Sequence, residues 1–189
     1  MAGKSMAFKL MRAALDAADP VKAIANQVKV TNGRLLVRDR AIIENLPKFT
    51  KTYVFGAGKA SSQMARALCM VDNFRIHGGL VITKNNHAST EDLAVCQKHG
   101  IRVAEASHPI PSDSGARATQ EIIDTLSEVD SPSTLIIWLA SGGGSALTGG
   151  VGVTPDLTLD ALKEGMQWLL DSGADIEQGT RTSHYFKLQ

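Results

Sequence analysis

Apolar residues fall along this chain in two rhythms. Over residues 4–18, Met6, Leu10, Met11, Ala14, Leu15 and Ala18 recur every three or four positions, the spacing of one helix face, and predict a first helix whose role is packing. Asp19-Pro20 places a capping residue before a proline suited to the first helical position, opening a second helix through residues 24–28. Val28 to Val30 and Leu35 to Val37, on either side of Thr31-Asn32-Gly33-Arg34, predict a short hairpin. Ile42-Ile43 adds another extended piece before Asn45-Leu46-Pro47 breaks the pattern. From Lys51 onward the rhythm changes to short apolar runs without alternation: 53–55, 79–83, 101–106 and 134–139. Helical segments are expected at 61–71, about 90–98 and about 115–127, and after the last run at 157–170, where Gly173 stops the chain's final clear helix.

Unalternated apolar runs separated by helices of this length predict a parallel sheet covered on both faces. The run at 134–139 is expected to be buried on both sides, with Trp138 in the core and Trp168 packed on a helix face. Right-handed crossovers place every strand-to-helix loop on one edge, the edge where open α/β sheets bind ligands. That edge collects the chain's candidate chemistry: Gly56-Ala57-Gly58-Lys59-Ala60; Lys84 and His87; His108 and Asp113; and Ser141-Gly142-Gly143-Gly144-Ser145. Successive glycines let backbone N–H groups approach a ligand with no Cβ in the way, and the hydroxyls of Ser141 and Ser145 suit phosphate or carboxylate oxygens. Lys59, beside a flexible backbone at a helix start, is placed to neutralise phosphate charge. His108, set between a strand and prolines, is a candidate general base or carboxylate ligand, with a bracing role equally open. Asp113 reads as the cap of the following helix, and Lys84 and His87 as weaker ligand candidates. His77 and His99 carry no functional expectation.

The glycine loop at 56–61 is not a standard dinucleotide fingerprint. Ser61 stands where the third glycine would be, and the next strand ends in Thr83-Lys84 instead of the acid that holds a ribose hydroxyl. The spacing of a Walker A loop is missing too. With 189 residues and 43% hydrophobic content the chain can bury a sizeable core. Its Lys+Arg 20 and Asp+Glu 19 give a formal charge of +1, so no global field draws nucleic acid or an acidic membrane. Cys69 and Cys96 have neither zinc spacing nor a disulfide-scaffold pattern and read as reduced thiols. No apolar run approaches transmembrane length and the start lacks the apolar core of a secretory signal, so a soluble cytoplasmic protein is expected.

With those motifs in place, the chain resembles the N-terminal domain of two-domain glycerate kinases, the type whose C-terminal portion is the MOFRL domain. The matching pieces are residues 54–60, 78–84 with His87, 108–115, 141–147 and 170–176, in the family's order. The resemblance implies a Rossmann-like α/β domain over 51–189, preceded by a helical and hairpin lead-in over 1–50. It also implies ATP-dependent phosphorylation of D-glycerate, mostly at the 2-hydroxyl, with Mg²⁺, in a family often labelled hydroxypyruvate reductase. The family's important lysine falls on Lys59. Two departures stand out. After Ile176, Gly179 stands where the family has an Asn and His184 aligns with its histidine; the later acidic motif, an arginine and the second domain are absent, which suggests a truncated reading frame with weak or no turnover. The alternatives are an NAD(P)H-dependent hydroxypyruvate reductase, opposed by Ser61 and Lys84, and a non-catalytic anion-binding module.

Overall fold

The structure, a computed structural model, describes residues 2–149 and 158–173. It opens with two helices, α1 (Ala2–Ala17) and α2 (Pro20–Gln27). Asp19 caps α2, its carboxylate accepting the amides of Val21 at 2.8 Å and Lys22 at 3.1 Å, while Pro20 takes the first turn, where a missing N–H is no loss. Three short strands follow, β1 (Val28–Thr31), β2 (Arg34–Val37) and β3 (Arg40–Ile43), paired as an antiparallel meander. Its turns lie at Asn32-Gly33 and Arg38-Asp39, all four with positive φ, the backbone that matches the twist of a two-residue hairpin. The predicted hairpin is thus two strands of a three-stranded sheet. The expectation for α1 is corrected: Met6, Phe8, Leu10, Met11 and Leu15 are all more than half exposed. Helical periodicity shows which side is apolar, but it does not supply an element to cover it.

The second sheet forms from β4 (Lys51–Ala57), β5 (Gly78–Lys84), β6 (Ile101–Ala106) and β7 (Thr134–Ala140), in spatial order β6-β5-β4-β7 and parallel throughout. Between them run α3 (Ser61–Cys69), α4 (Thr90–Lys98) and α5 (Asp113–Val129); α6 (Gly144–Leu147) and α7 (Leu159–Asp171) follow β7. Alternate residues divide the core into two layers. Val54, Val81 and Ile101 meet Leu68, Cys69 and Cys96 of α3 and α4, joined by Leu35 of the meander. Phe55, Leu80 and Ile82 meet Ala118 and Ile122 of α5 and Leu147 of α6. The chain therefore walks outward from β4 through β5 to β6 and then returns to the opposite side of β4 as β7. This reversal opens a crevice at the carboxyl ends of β4 and β7, because the connections leaving them go to opposite faces.

Two expectations fail at that reversal. Among the described residues β7 has a neighbouring strand only on the β4 side, and although Leu139 is buried, Ile136 and Trp138 are 39% and 49% exposed. Trp138 is therefore not a core residue, because no described element covers that face of an edge strand. Trp168 is 69% exposed, while α7 buries Leu162 and Leu169 instead. The expected loop following Ser145 begins within the short helix α6; its continuation through Gly150, Gly152 and Pro155, and the tail with Gly179 and His184, lie outside the described residues. No described helix is long and apolar enough to cross a membrane.

Candidate functional site

The two glycine loops leave adjacent strands at the same level, since Ala57 at the end of β4 lies opposite Ala140 at the end of β7. Their backbones are then stapled together. Lys59 N donates to Gly142 O at 2.9 Å and Ser141 N donates to Ala57 O at 3.2 Å. The hydroxyl of Ser141 accepts the Ala60 amide at 3.1 Å. Gly58, at φ +141, lies so close to Ser141 that any Cβ would collide with it. Ser141, read from sequence as a ligand donor, thus also holds the first loop in place.

Beneath the first loop, the buried Ser61 donates from its hydroxyl to Gly58 O at 2.9 Å or Ile82 O at 2.7 Å. It stands in the third glycine position of the dinucleotide pattern and fills the helix-to-strand contact that a glycine would leave open. Thr83, at the end of β5, donates to Lys59 O at 3.2 Å. Sequence reading passed over Thr83, since a threonine at a strand end carries no mark of the loop it will meet. Lys59 is itself exposed, held by its backbone, with its Cε beside Gly143.

Gly143 is the meeting point of the site. Its φ of +89 belongs to the left-handed region, and a Cβ there would lie 2.7–2.8 Å from the His108 ring and 3.4 Å from Lys59 Cε. The glycine therefore admits the imidazole and the lysine stem to one point of the second loop. Gly142, by contrast, faces open space. Gly144 starts α6 where a Cβ would lie 2.9 Å from Ala57 O, and Ser145 follows as an exposed residue. Gly56 lies inside β4 against Leu139, so it packs the sheet and does not reach the crevice surface.

The charge around His108 is basic. Partial burial, then the nearby Lys59 and Lys84, and more weakly His87, hold its imidazole below the ordinary value of 6.5. Lys84 is half-buried at the end of β5 and His87 is exposed in the turn beyond. The structure thus brings Lys59, Lys84, His87 and His108 into one electrostatic neighbourhood from three separate loops. Asp113 does not join them: it makes a 3.0 Å ion pair with Lys163 of α7, which holds its carboxyl below the usual range. Nor is it the cap of α5. Ser112 has that role, accepting the Gly115 amide at 3.3 Å and the Ser107 amide at 3.1 Å, so it also braces the loop that carries His108. His77, given no functional expectation, holds the opposite end of the sheet, its Nδ1 accepting the Thr52 amide at 3.0 Å.

Among the described residues, no three His, Cys, Asp or Glu side chains come together as a metal cage. The cationic and imidazole groups around Gly143 do not fit Mg²⁺, which takes carboxylate and phosphate oxygens. The arrangement suits an anion: a lysine, a lysine-flanked imidazole, and loop amides at a sheet switch point.

Comparison with known proteins gives the family to which the chain belongs. A glycerate 2-kinase of Pyrococcus horikoshii is 31% identical over 98% of this chain, and a protein of Agrobacterium vitis provisionally named hydroxypyruvate reductase is 39% identical over 66% of it. A crystal structure of a Pyrococcus horikoshii protein superposes with a TM-score of 0.72 at 30% identity over 92% of the chain. The chain spans 39%, 30% and 36% of these proteins' respective lengths. The family model described as a domain of unknown function, DUF4147, matches residues 6–178, and the chain belongs to that family, the N-terminal domain of MOFRL-type glycerate kinases.

Proposed function

We propose that this chain forms the anion-gripping half of a glycerate 2-kinase, in which a hydroxyl of D-glycerate attacks the γ-phosphorus of ATP. The convergence of Lys59 and His108 on Gly143 within a basic, glycine-lined crevice carries this reading. ATP supplies the phosphoryl group, and the O–P bond to its β-phosphate breaks as the glycerate O–P bond forms. The chain's own contribution is positioning and charge. Lys59 offsets negative charge on the transferring phosphoryl group, and its backbone cannot drift because Gly142 O and Thr83 Oγ1 hold both sides of its peptide. The amides of Gly142 and Gly143 hold the phosphate or the glycerate carboxylate, while the Gly144 amide donates to Ser141 O and closes the loop. His108, kept neutral by burial and by Lys59 and Lys84, is available to accept the hydroxyl proton. Lys84 and His87 extend the positive field. Among the described residues no carboxylate cage for Mg²⁺ forms, so any Mg²⁺ would ride on the nucleotide phosphates.

Nicotinamide reduction of hydroxypyruvate fits less well: Ser61 fills the third glycine position with a bonded hydroxyl, and β5 ends in Lys84. Calorimetric titration of the chain with ATP·Mg²⁺, glycerate and NADH in parallel separates the readings. Glycerate or ATP binding that Lys59→Ala weakens at least tenfold, with an unchanged circular dichroism spectrum, is the expected result. NADH binding with no response to glycerate or ATP would overturn the proposal. Glycerate binding unaffected by Lys59→Ala would instead point to a non-catalytic anion-binding module.

A further inference from the structure

The two cysteines, far apart in sequence, meet on the face of the sheet away from α5. Helices α3 and α4 both connect parallel strands on that face, so they run in the same direction. Their register is set by Arg66 of α3, whose Nε lies 2.7 Å from Asp92 Oδ1 of α4 and whose Nη1 lies 2.8 Å from Glu91. Asp92 is almost completely buried, so this is an anchored rung and not a surface contact. Cys69 follows three residues on in α3 and Cys96 four residues on in α4, each about one turn past that rung. Both are buried members of one apolar cluster. Cys96 Sγ also lies 3.9 Å from Ser62 O, in the first turn of α3.

We propose that Cys69 and Cys96 form a reversible oxidation site, in which a hydroperoxide converts the facing thiols into a disulfide that ties α3 to α4. Cys69 is the attacking sulfur. It lies at the cluster's edge, 8% exposed beside the exposed Met70, while Cys96 is fully enclosed. The hydrogen bond from Cys96 favours the Cys69 thiolate and holds Cys96 itself protonated, with burial pushing Cys96 further the same way. The Cys69 thiolate attacks one peroxide oxygen, the O–O bond breaks, and hydroxide takes up a proton and leaves as water, giving a sulfenic acid. Cys96 sulfur then attacks Cys69 Sγ; the S–O bond breaks and the departing hydroxide takes the Cys96 proton as a second water. Hydrogen peroxide is reduced, the two thiols are oxidised, and the chain loses two hydrogens. A thiol reductant reverses the reaction. The tie would fix the helix that begins immediately after the Lys59 loop, yet the chemistry is independent of the kinase reading.

The test uses the whole chain, purified reduced and exposed to hydrogen peroxide, then alkylated, digested without reductant and mapped by mass spectrometry. The expected product is a single cross-linked peptide pair containing Cys69 and Cys96 in monomeric protein with an unchanged circular dichroism spectrum. Its Tm should be raised by about 5 °C, as closure of an internal loop predicts, and restored by dithiothreitol. Cys69→Ser should abolish the link, but the wild-type map decides the matter even if that variant folds poorly. Sulfoxide at the exposed Met70 shows that the dose was sufficient. Free thiols alongside oxidised Met70, a link between chains, a stable sulfenic or sulfinic acid at Cys69 with Cys96 unmodified, or a link formed only in denaturant would each overturn the proposal.

Discussion

Strand β4 has two flanks made of similarly apolar sequence, and they end up in different surroundings. Toward β5 the sheet is closed on both faces: Val54, Phe55, Val81 and Ile82 have no exposed surface, with α3 and α4 on one side and α5 on the other. Toward β7 the coverage is one-sided, and Ile136 and Trp138 stand half in water while Leu139, between them and the loop, is buried. The difference shows that an unalternated apolar run specifies a strand able to be buried twice, whereas its place in the sheet decides whether it is. It also separates two kinds of importance. The β5 flank supplies cohesion; the β7 flank supplies the second glycine loop and the crevice.

The largest effect expected from breaking that contrast is at Phe55. Phe55→Ala would empty a fully enclosed position and cost about 4 kcal/mol, enough to unfold much of the population of a marginally stable domain; urea denaturation followed by circular dichroism measures it.

A smaller and more local effect is expected where the two flanks meet. Gly143→Ala would cost about 1 kcal/mol in left-handed strain and drive the His108 ring away from Lys59. In the wild-type chain the His108 ring proton, followed by NMR, should titrate below 6.5, and in Gly143→Ala its pKa should climb back toward that value. An identical titration in both chains would show that Gly143 does not hold the ring in place. The sign for stability follows from the same shift. Folding lowers the His108 pKa, so its contribution is present above the unfolded value of 6.5 and is lost as pH falls from there through the folded value.

The smallest effect sharpens the comparison from the other side. Trp138→Ser removes a large side chain that is half exposed, and should change stability by no more than about 1 kcal/mol. A loss comparable to that of Phe55→Ala would show that this face of β7 is covered in solution.

The local grammar of the chain was legible in advance. Asp19-Pro20 opens a helix, Asn32-Gly33 turns a hairpin, and the apolar runs from Lys51 to Leu139 become parallel strands with their glycine loops on one edge, because each of these depends on neighbours a few residues away. Lys59, Lys84 and His108 could be assigned to that edge for the same reason. The reading failed where the outcome depends on what lies opposite. The apolar stripe of α1 faces solvent, Trp138 is at an edge, and Asp113 turns to Lys163 while Ser112 takes the cap.

Sequence by itself determined the elements, their order and which polar residues and glycines gather at one sheet edge, since periodicity, capping and glycine freedom act over a single turn or strand. Tertiary structure alone decided that β7 returns beside β4 and not beyond β6. That choice rests on the burial available to whole strands and on long-range pairing. It opened the crevice, brought His108 over Gly143, and set Cys69 against Cys96.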